Sequence, residues 1–241
     1  MGLREGTIHV WRARIPEWSE HLSRLEELLS KEESLRINRM GNMPRRAEFI
    51  VGRGILRLLI SRYTGMIPCE IIFNSGPTGR PYLENPKGKE GLFFSLSHSG
   101  DWLLIAFGKE EHFGIDLEFK RDSIDPLAIS ERFFTGAENL LIQSAATSVR
   151  KDIFYEIWVR KEACLKTMGI ELARGLKAVE ISGDQGLISL KDRKGASVQQ
   201  QSLFCKSISL DPDYAAALAS GAAIKEILQF EAQASCFMSI F

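Results

Sequence analysis

Residues 113–121 read FGIDLEFKR: two carboxylates stand one residue apart, each flanked by large apolar side chains. In a strand, side chains alternate between faces. Phe113, Ile115, Leu117 and Phe119 then turn toward a core, and Gly114, Asp116 and Glu118 share the opposite face. At ~3.3 Å rise per residue the two acids stand about 7 Å apart and repel each other. Something positive belongs between them, either a hard divalent cation or a nearby Lys or Arg.

The rest of the chain bounds the answer. Its 241 residues are 44% hydrophobic and 26% charged, ordinary for a soluble globular protein with a substantial core. The length suits one large domain or two of about 120 residues. A formal net charge of zero implies no bulk attraction to nucleic acid or to a membrane surface. No apolar run approaches the ~20 residues of a membrane span, and the start of the chain lacks a signal-peptide pattern. Cys69, Cys164, Cys205 and Cys236 are scattered without a CxxC pair, the pattern of reduced thiols in a cytoplasmic protein.

TIHVWRA (7–13) alternates and predicts an edge strand. Residues 49–63 carry apolar positions at helical spacing. Short strands are predicted near 69–74 and 80–83, joined by the turn signal SGPTGRP. Residues 92–108 predict a hairpin around Ser99-Gly100-Asp101, and FGIDLEF follows as the next strand. Beyond residue 120, segments 125–145 and 152–169 read as helices, the second ending at Gly169. From about 177 the pattern returns to short strands. Both halves thus run helix first and antiparallel strands after, an α+β order, with the division placed at 1–119 and 120–241.

Three further groups carry possible chemistry. In WVRKEACLK, Trp158, Glu162 and Lys166 are four apart and share one helix face, with Lys161 beside it. A solvated Glu–Lys pair is the plainer reading, because such pairs are common and weak. In SLSHSG (95–100), His98 and Ser97 offer donors to a phosphate oxygen; a half-buried His bonded to backbone is the alternative. Arg80 lies in a constrained Gly-Arg-Pro turn, and Arg36 and Arg39 stand three apart on one helix face. Guanidinium groups suit two-pronged phosphate contacts, though solvated surface is their usual fate.

Taken in order, Gly79-Arg80-Pro81, Ser97-His98-Ser99, Gly114-Ile115-Asp116-Leu117-Glu118 and Trp158 through Lys166 resemble the 4′-phosphopantetheinyl transferases. The best match is the longer, monomeric Sfp type, over roughly residues 5–222. Glu48-Phe49 departs from that pattern, which often has an Arg-Thr pair there.

The resemblance implies a pseudo-dimer of two similar α+β halves with coenzyme A in the cleft between them. It implies transfer of the phosphopantetheine arm from coenzyme A to a serine of an apo carrier protein, with release of adenosine 3′,5′-bisphosphate. Asp116, Glu118 and Glu162 would hold one Mg²⁺ (or Mn²⁺). Lys166 would contact the phosphates, with Glu162 or Lys166 as the general base. Arg36, Arg39, Arg80, Ser97, His98 and Lys161 would bind coenzyme A. Two rivals from other classes are a metal-dependent nuclease and a non-catalytic carrier-binding module. The nuclease lacks a clustered basic stripe, and the module needs no acidic trio with a paired Lys.

Overall fold

The computed structural model describes residues 2–76, 81–84, 91–170, 175–191 and 197–238. The alternating segment near the start forms β1 (Thr7–Arg14), followed by a 3-10 turn over Ile15–His21 and α1 (Leu22–Glu27). Ser30 starts α2 (Lys31–Asn38) by accepting from the Glu33 amide while the Glu33 carboxylate accepts from the Ser30 N–H. This reciprocal cap satisfies two otherwise bare donors. The helical spacing over 49–63 is the buried part of a longer helix, α3 (Met43–Thr64).

A two-stranded ribbon, β2 (Phe73–Ser75) with β3 (Pro81–Leu83), precedes the hairpin β4 (Phe93–Ser99) and β5 (Trp102–Gly108). Gly100 supplies the positive φ, 56°, that the hairpin turn requires. The carboxylate segment is β6 (Phe113–Phe119).

The predicted helix over 125–145 divides into α4 (Pro126–Phe133) and α5 (Gly136–Ser144), because Thr135 caps the second with Glu138 as its reciprocal partner. α6 (Thr147–Met168) starts before the predicted residue 152 and ends as expected at a left-handed Gly169. The remaining elements are β7 (Val179–Ser182), β8 (Gln185–Lys191), β9 (Ser197–Ser207), β10 (Tyr214–Ser220), β11 (Glu226–Glu231) and α7 (Ala234–Met238). No described helix is long and apolar enough to cross a membrane.

Two sheets organise these parts, in strand orders β11-β1-β5-β4 and β6-β10-β9-β8-β7. Alternation splits each strand's side chains between two cores. Trp11 and Ala13 of β1 and Leu103, Ile105 and Phe107 of β5 pack with α3. Ile8, Val10, Leu104 and Ala106 point the other way, onto Phe113, Ile115, Leu117, Ala216 and Leu218 of the second sheet. Ala215, Ala217 and Ala219 meet α6 on that sheet's far side. The molecule is therefore α+β in four layers, helix, sheet, sheet and helix. Each half is built on one helix of 22 residues. At ~1.5–3 kcal/mol per buried large aliphatic or aromatic side chain, the layer between the sheets is a true core.

Two details correct the expected division at residues 119 and 120. β6 was assigned to the first half but pairs along its length with β10. β11 was assigned to the second half but joins the first sheet, parallel to β1. Strand pairing is decided by which apolar faces meet, and position along the chain does not report it. Phe119 also departs from its expected core position: it is 36% exposed and its ring lies against Tyr214.

Candidate active site

Asp116 and Glu118 leave β6 on the side that faces α6, as alternation requires. Gly114 sets how near α6 comes. A Cβ there would lie 2.4 Å from the Ala163 carbonyl oxygen and 2.8 Å from both the Lys166 Cβ and the Thr167 amide nitrogen. The bare glycine allows helix backbone to rest on the strand, and this brings Glu162 to the two acids. Asp116, Glu118 and Glu162 each offer an oxygen within 4.8 Å of the others.

Lys166, one turn beyond Glu162, donates to Asp116 Oδ1 at 2.6 Å and to the Ile115 carbonyl at 3.1 Å. Trp158, one turn before it, packs against Phe134 and Phe154. Of the two positive partners that the sequence allowed, the nearby protein cation is present. Lys166 is the nearby cation, yet it takes only one oxygen of the trio's most buried member. Asp116 is 2% exposed, and its Oδ2 is buried without a hydrogen-bond partner.

Crowding three acids has an electrostatic consequence. Burial, with Asp116 and Glu118 nearby, pushes the Glu162 carboxyl up to about 8 against the pull of Lys166 and Trp158. Burial also raises Glu118, with Asp116 adding to the effect and the Ser99 hydrogen bond opposing it. A cluster of this kind holds a proton or a cation. Oxygen donors alone, an orphaned Asp116 oxygen and mutual repulsion fit a hard divalent ion such as Mg²⁺ or Mn²⁺.

Strand β4 borders the trio. His98 is exposed and lines a cleft of about 440 Å³ together with Arg36, Arg45, Arg53, Phe49 and Pro81. The Arg36 guanidinium lies 4.8 Å from the Phe49 ring centroid and that of Arg53 lies 5.7 Å from it, so the ring that replaces the expected Arg-Thr pair organises two cations. Glu33 anchors the region from below, 3.5 Å from Arg53 and 2.7 Å from the buried Arg57.

The cofactor-binding expectations fare unevenly. Arg36 and His98 share the cleft. Arg39 is exposed and does not line it, and Arg80 lies outside the described residues. The Ser97 hydroxyl is turned away from the cleft and donates to Asp116 Oδ1 at 2.9 Å, because neighbouring strand residues point to opposite faces. Lys161 is also corrected. It is fully buried and its Nζ donates to Glu138 Oε2 at 2.5 Å and to the Val179 carbonyl. One residue before Glu162 on a helix lies about 100° round its axis, away from the trio. Arg45 and Arg53, which the sequence did not single out as binding residues, also line the cleft.

Residues 112–219 match the 4′-phosphopantetheinyl transferase superfamily, and residues 9–110 match the family described as 4′-phosphopantetheinyl transferase, N-terminal. Over 175 residues the chain is 35% identical to the 4′-phosphopantetheinyl transferase HetI of Nostoc sp., covering 73% of each chain. It is 32% identical over 168 residues to psf-1 of Bacillus pumilus, covering 68% of this chain and 67% of the relative. It is 26% identical over 200 residues to Sfp of Bacillus subtilis, covering 83% and 85%.

Proposed function

The chain belongs to the 4′-phosphopantetheinyl transferase superfamily, and from that premise we propose how its residues transfer the phosphopantetheine arm of coenzyme A to a carrier protein. The observation that carries the proposal is the trio Asp116, Glu118 and Glu162, with oxygens within 4.8 Å, beside Lys166 and a cleft lined by Arg36, Arg45, Arg53 and His98. Acids from a strand and a helix meet next to a basic cleft, as a diphosphate with a nucleotide attached requires.

In this reading the nucleotide's phosphates lie in the cleft against Arg36, Arg53 and His98, and the diphosphate reaches the trio. Asp116, Glu118 and Glu162 would hold a divalent ion, Mg²⁺ or Mn²⁺, which when bound would supply charge withdrawal from the diphosphate. The acceptor serine oxygen forms a bond to the β-phosphorus as the bond to the bridging oxygen breaks. The serine proton passes to Glu162, and adenosine 3′,5′-bisphosphate leaves with its new negative charge facing Lys166. Little covalent chemistry falls to the protein, so positioning and charge stabilisation supply most of the acceleration. Lys166, bonded to Asp116 Oδ1 and the Ile115 carbonyl, is held as a cation at the place where charge develops. The protein acts as a cytoplasmic monomer on apo carrier proteins.

Intact mass spectrometry of an apo carrier mixed with coenzyme A and Mg²⁺ tests the reading. The carrier should gain the mass of one phosphopantetheine, and Asp116→Ala should abolish the gain. Undiminished transfer by Asp116→Ala, or full transfer in a chelator, refutes it.

A further inference from the structure

β4 and β6 lie side by side but belong to different sheets, so the free edge of β6 pairs with none of the described strands. Unpaired strand edges are costly when buried. Here serine hydroxyls at alternate positions of β4 fill the gap. Ser95 Oγ accepts from the Ile115 amide at 3.1 Å, and Ser99 Oγ accepts from the Phe119 amide at 3.0 Å. Ser95, Ser97 and Ser99 are 2%, 8% and 8% exposed, so water does not compete strongly for them.

These hydroxyls also reach the acids. Ser97 donates to Asp116 Oδ1, and Ser99 donates to Glu118 Oε2 at 2.8 Å. Their situations differ. Asp116 Oδ1 also takes Lys166, so it keeps a strong partner if Ser97 is lost. Ser99 has its lone pair engaged by the Phe119 N–H, which directs its own O–H toward Glu118. A hydroxyl gripped by the backbone on one side and a carboxylate on the other fixes which oxygen of Glu118 is occupied and how the group is turned.

We propose that Ser99 is a positioning residue: from the first sheet, it orients Glu118 of the second for divalent-metal binding. The trio is then assembled across the junction of the two halves although all its members belong to one of them. The inference rests on the metal reading given above. Groups that hydrogen-bond a ligating carboxylate typically change metal affinity 10- to 100-fold when removed.

The test is a titration of the full chain with Mn²⁺, without coenzyme A, following free Mn²⁺ by electron paramagnetic resonance. Ser99→Ala should weaken binding about 10- to 100-fold, and Ser99→Thr, which keeps the hydroxyl, should restore it. Ser95→Ala removes a junction bond that touches no acid, so it should lower the melting temperature while leaving Mn²⁺ affinity unchanged. Ser99→Cys, near in size but a weak donor, should behave as Ser99→Ala and serves if the alanine variant does not fold. In transfer assays the Ser99→Ala defect should shrink as Mn²⁺ is raised. Wild-type affinity in Ser99→Ala or Ser99→Cys overturns the proposal, as does equal loss in Ser95→Ala. A wild-type chain with no saturable Mn²⁺ site defeats the metal reading itself before any variant is compared.

Discussion

Replacing Gly114 with alanine places a methyl group between β6 and α6, and the structure sets its cost. The new Cβ would sit 2.4 Å from the Ala163 carbonyl oxygen, against an ordinary contact of at least 3.4 Å. The difference, 3.4 − 2.4 = 1.0 Å, is what helix and strand must separate, and both obstacles named at 2.4 Å and at Thr167 are backbone atoms that cannot rotate aside. Overpacking of this kind costs about 1–3 kcal/mol. For a chain of this size each kcal/mol lowers the melting temperature by about 2–4 °C. The effect on chemistry should be larger, since Glu162 and Lys166 ride on the displaced helix while Asp116 and Glu118 stay on the strand. A misplacement near 1 Å can cost about 100-fold in rate. Transfer to an apo carrier, followed by intact mass, should therefore slow about 100-fold in Gly114→Ala, with Mn²⁺ affinity falling in parallel and circular dichroism unchanged. A variant that folds and transfers at the wild-type rate would show that the close approach of strand and helix does not set the geometry of the trio.

Other substitutions separate roles that the sequence had merged. Lys161→Met should destabilise the protein by about 3–5 kcal/mol, because Glu138 is left charged and buried, while KM for coenzyme A in the surviving folded fraction stays at the wild-type value; a raised KM would return Lys161 to the binding site. Arg36→Gln and Arg53→Gln should each raise KM for coenzyme A about 10-fold or more, as expected for a lost charge-assisted bond of ~1.5–3 kcal/mol, and leave the melting temperature nearly unchanged for exposed Arg36. A wild-type KM in both variants would move the nucleotide out of this cleft. The metal-free protein should depend on pH through Glu162, whose carboxyl rises from 4.5 to about 8 on folding. The folded state then holds a proton that the unfolded chain releases, so this stabilisation is complete below pH 4.5 and is lost as pH rises through about 8. Thermal melts in a chelator should show that slope, Glu162→Gln should flatten it, and Mg²⁺ should stabilise the wild type most at the alkaline end; an identical slope in Glu162→Gln refutes the assignment.

The legible parts of this molecule are those with a short period. Alternation placed Asp116 and Glu118 on one face, and the four-residue repeat placed Trp158, Glu162 and Lys166 on another. Both survive intact in the structure. Lys161 was misplaced by one helix position, where a neighbour in sequence is not a neighbour on the face. Ser97 failed for the corresponding reason on a strand. What no local pattern could report is which edges and faces meet. The pairing of β6 with β10, the return of β11 to β1 and the serines facing the free edge of β6 all join residues far apart in sequence. Arg53 belongs to the same class, for its neighbours Phe49, Phe73 and Glu33 come from three elements.

The return of β11 bears on dissection of the protein. Because Glu226–Glu231 lies in parallel register along Thr7–Arg12, a cut in the connection before Phe113 would not release two self-sufficient pieces. The leading fragment would miss an outer strand of its own sheet, and the trailing fragment would carry that strand with nowhere to lay it. Such fragments should regain activity only by clasping each other, which suits this chain to a two-piece complementation reporter and makes it a poor donor of a free-standing half.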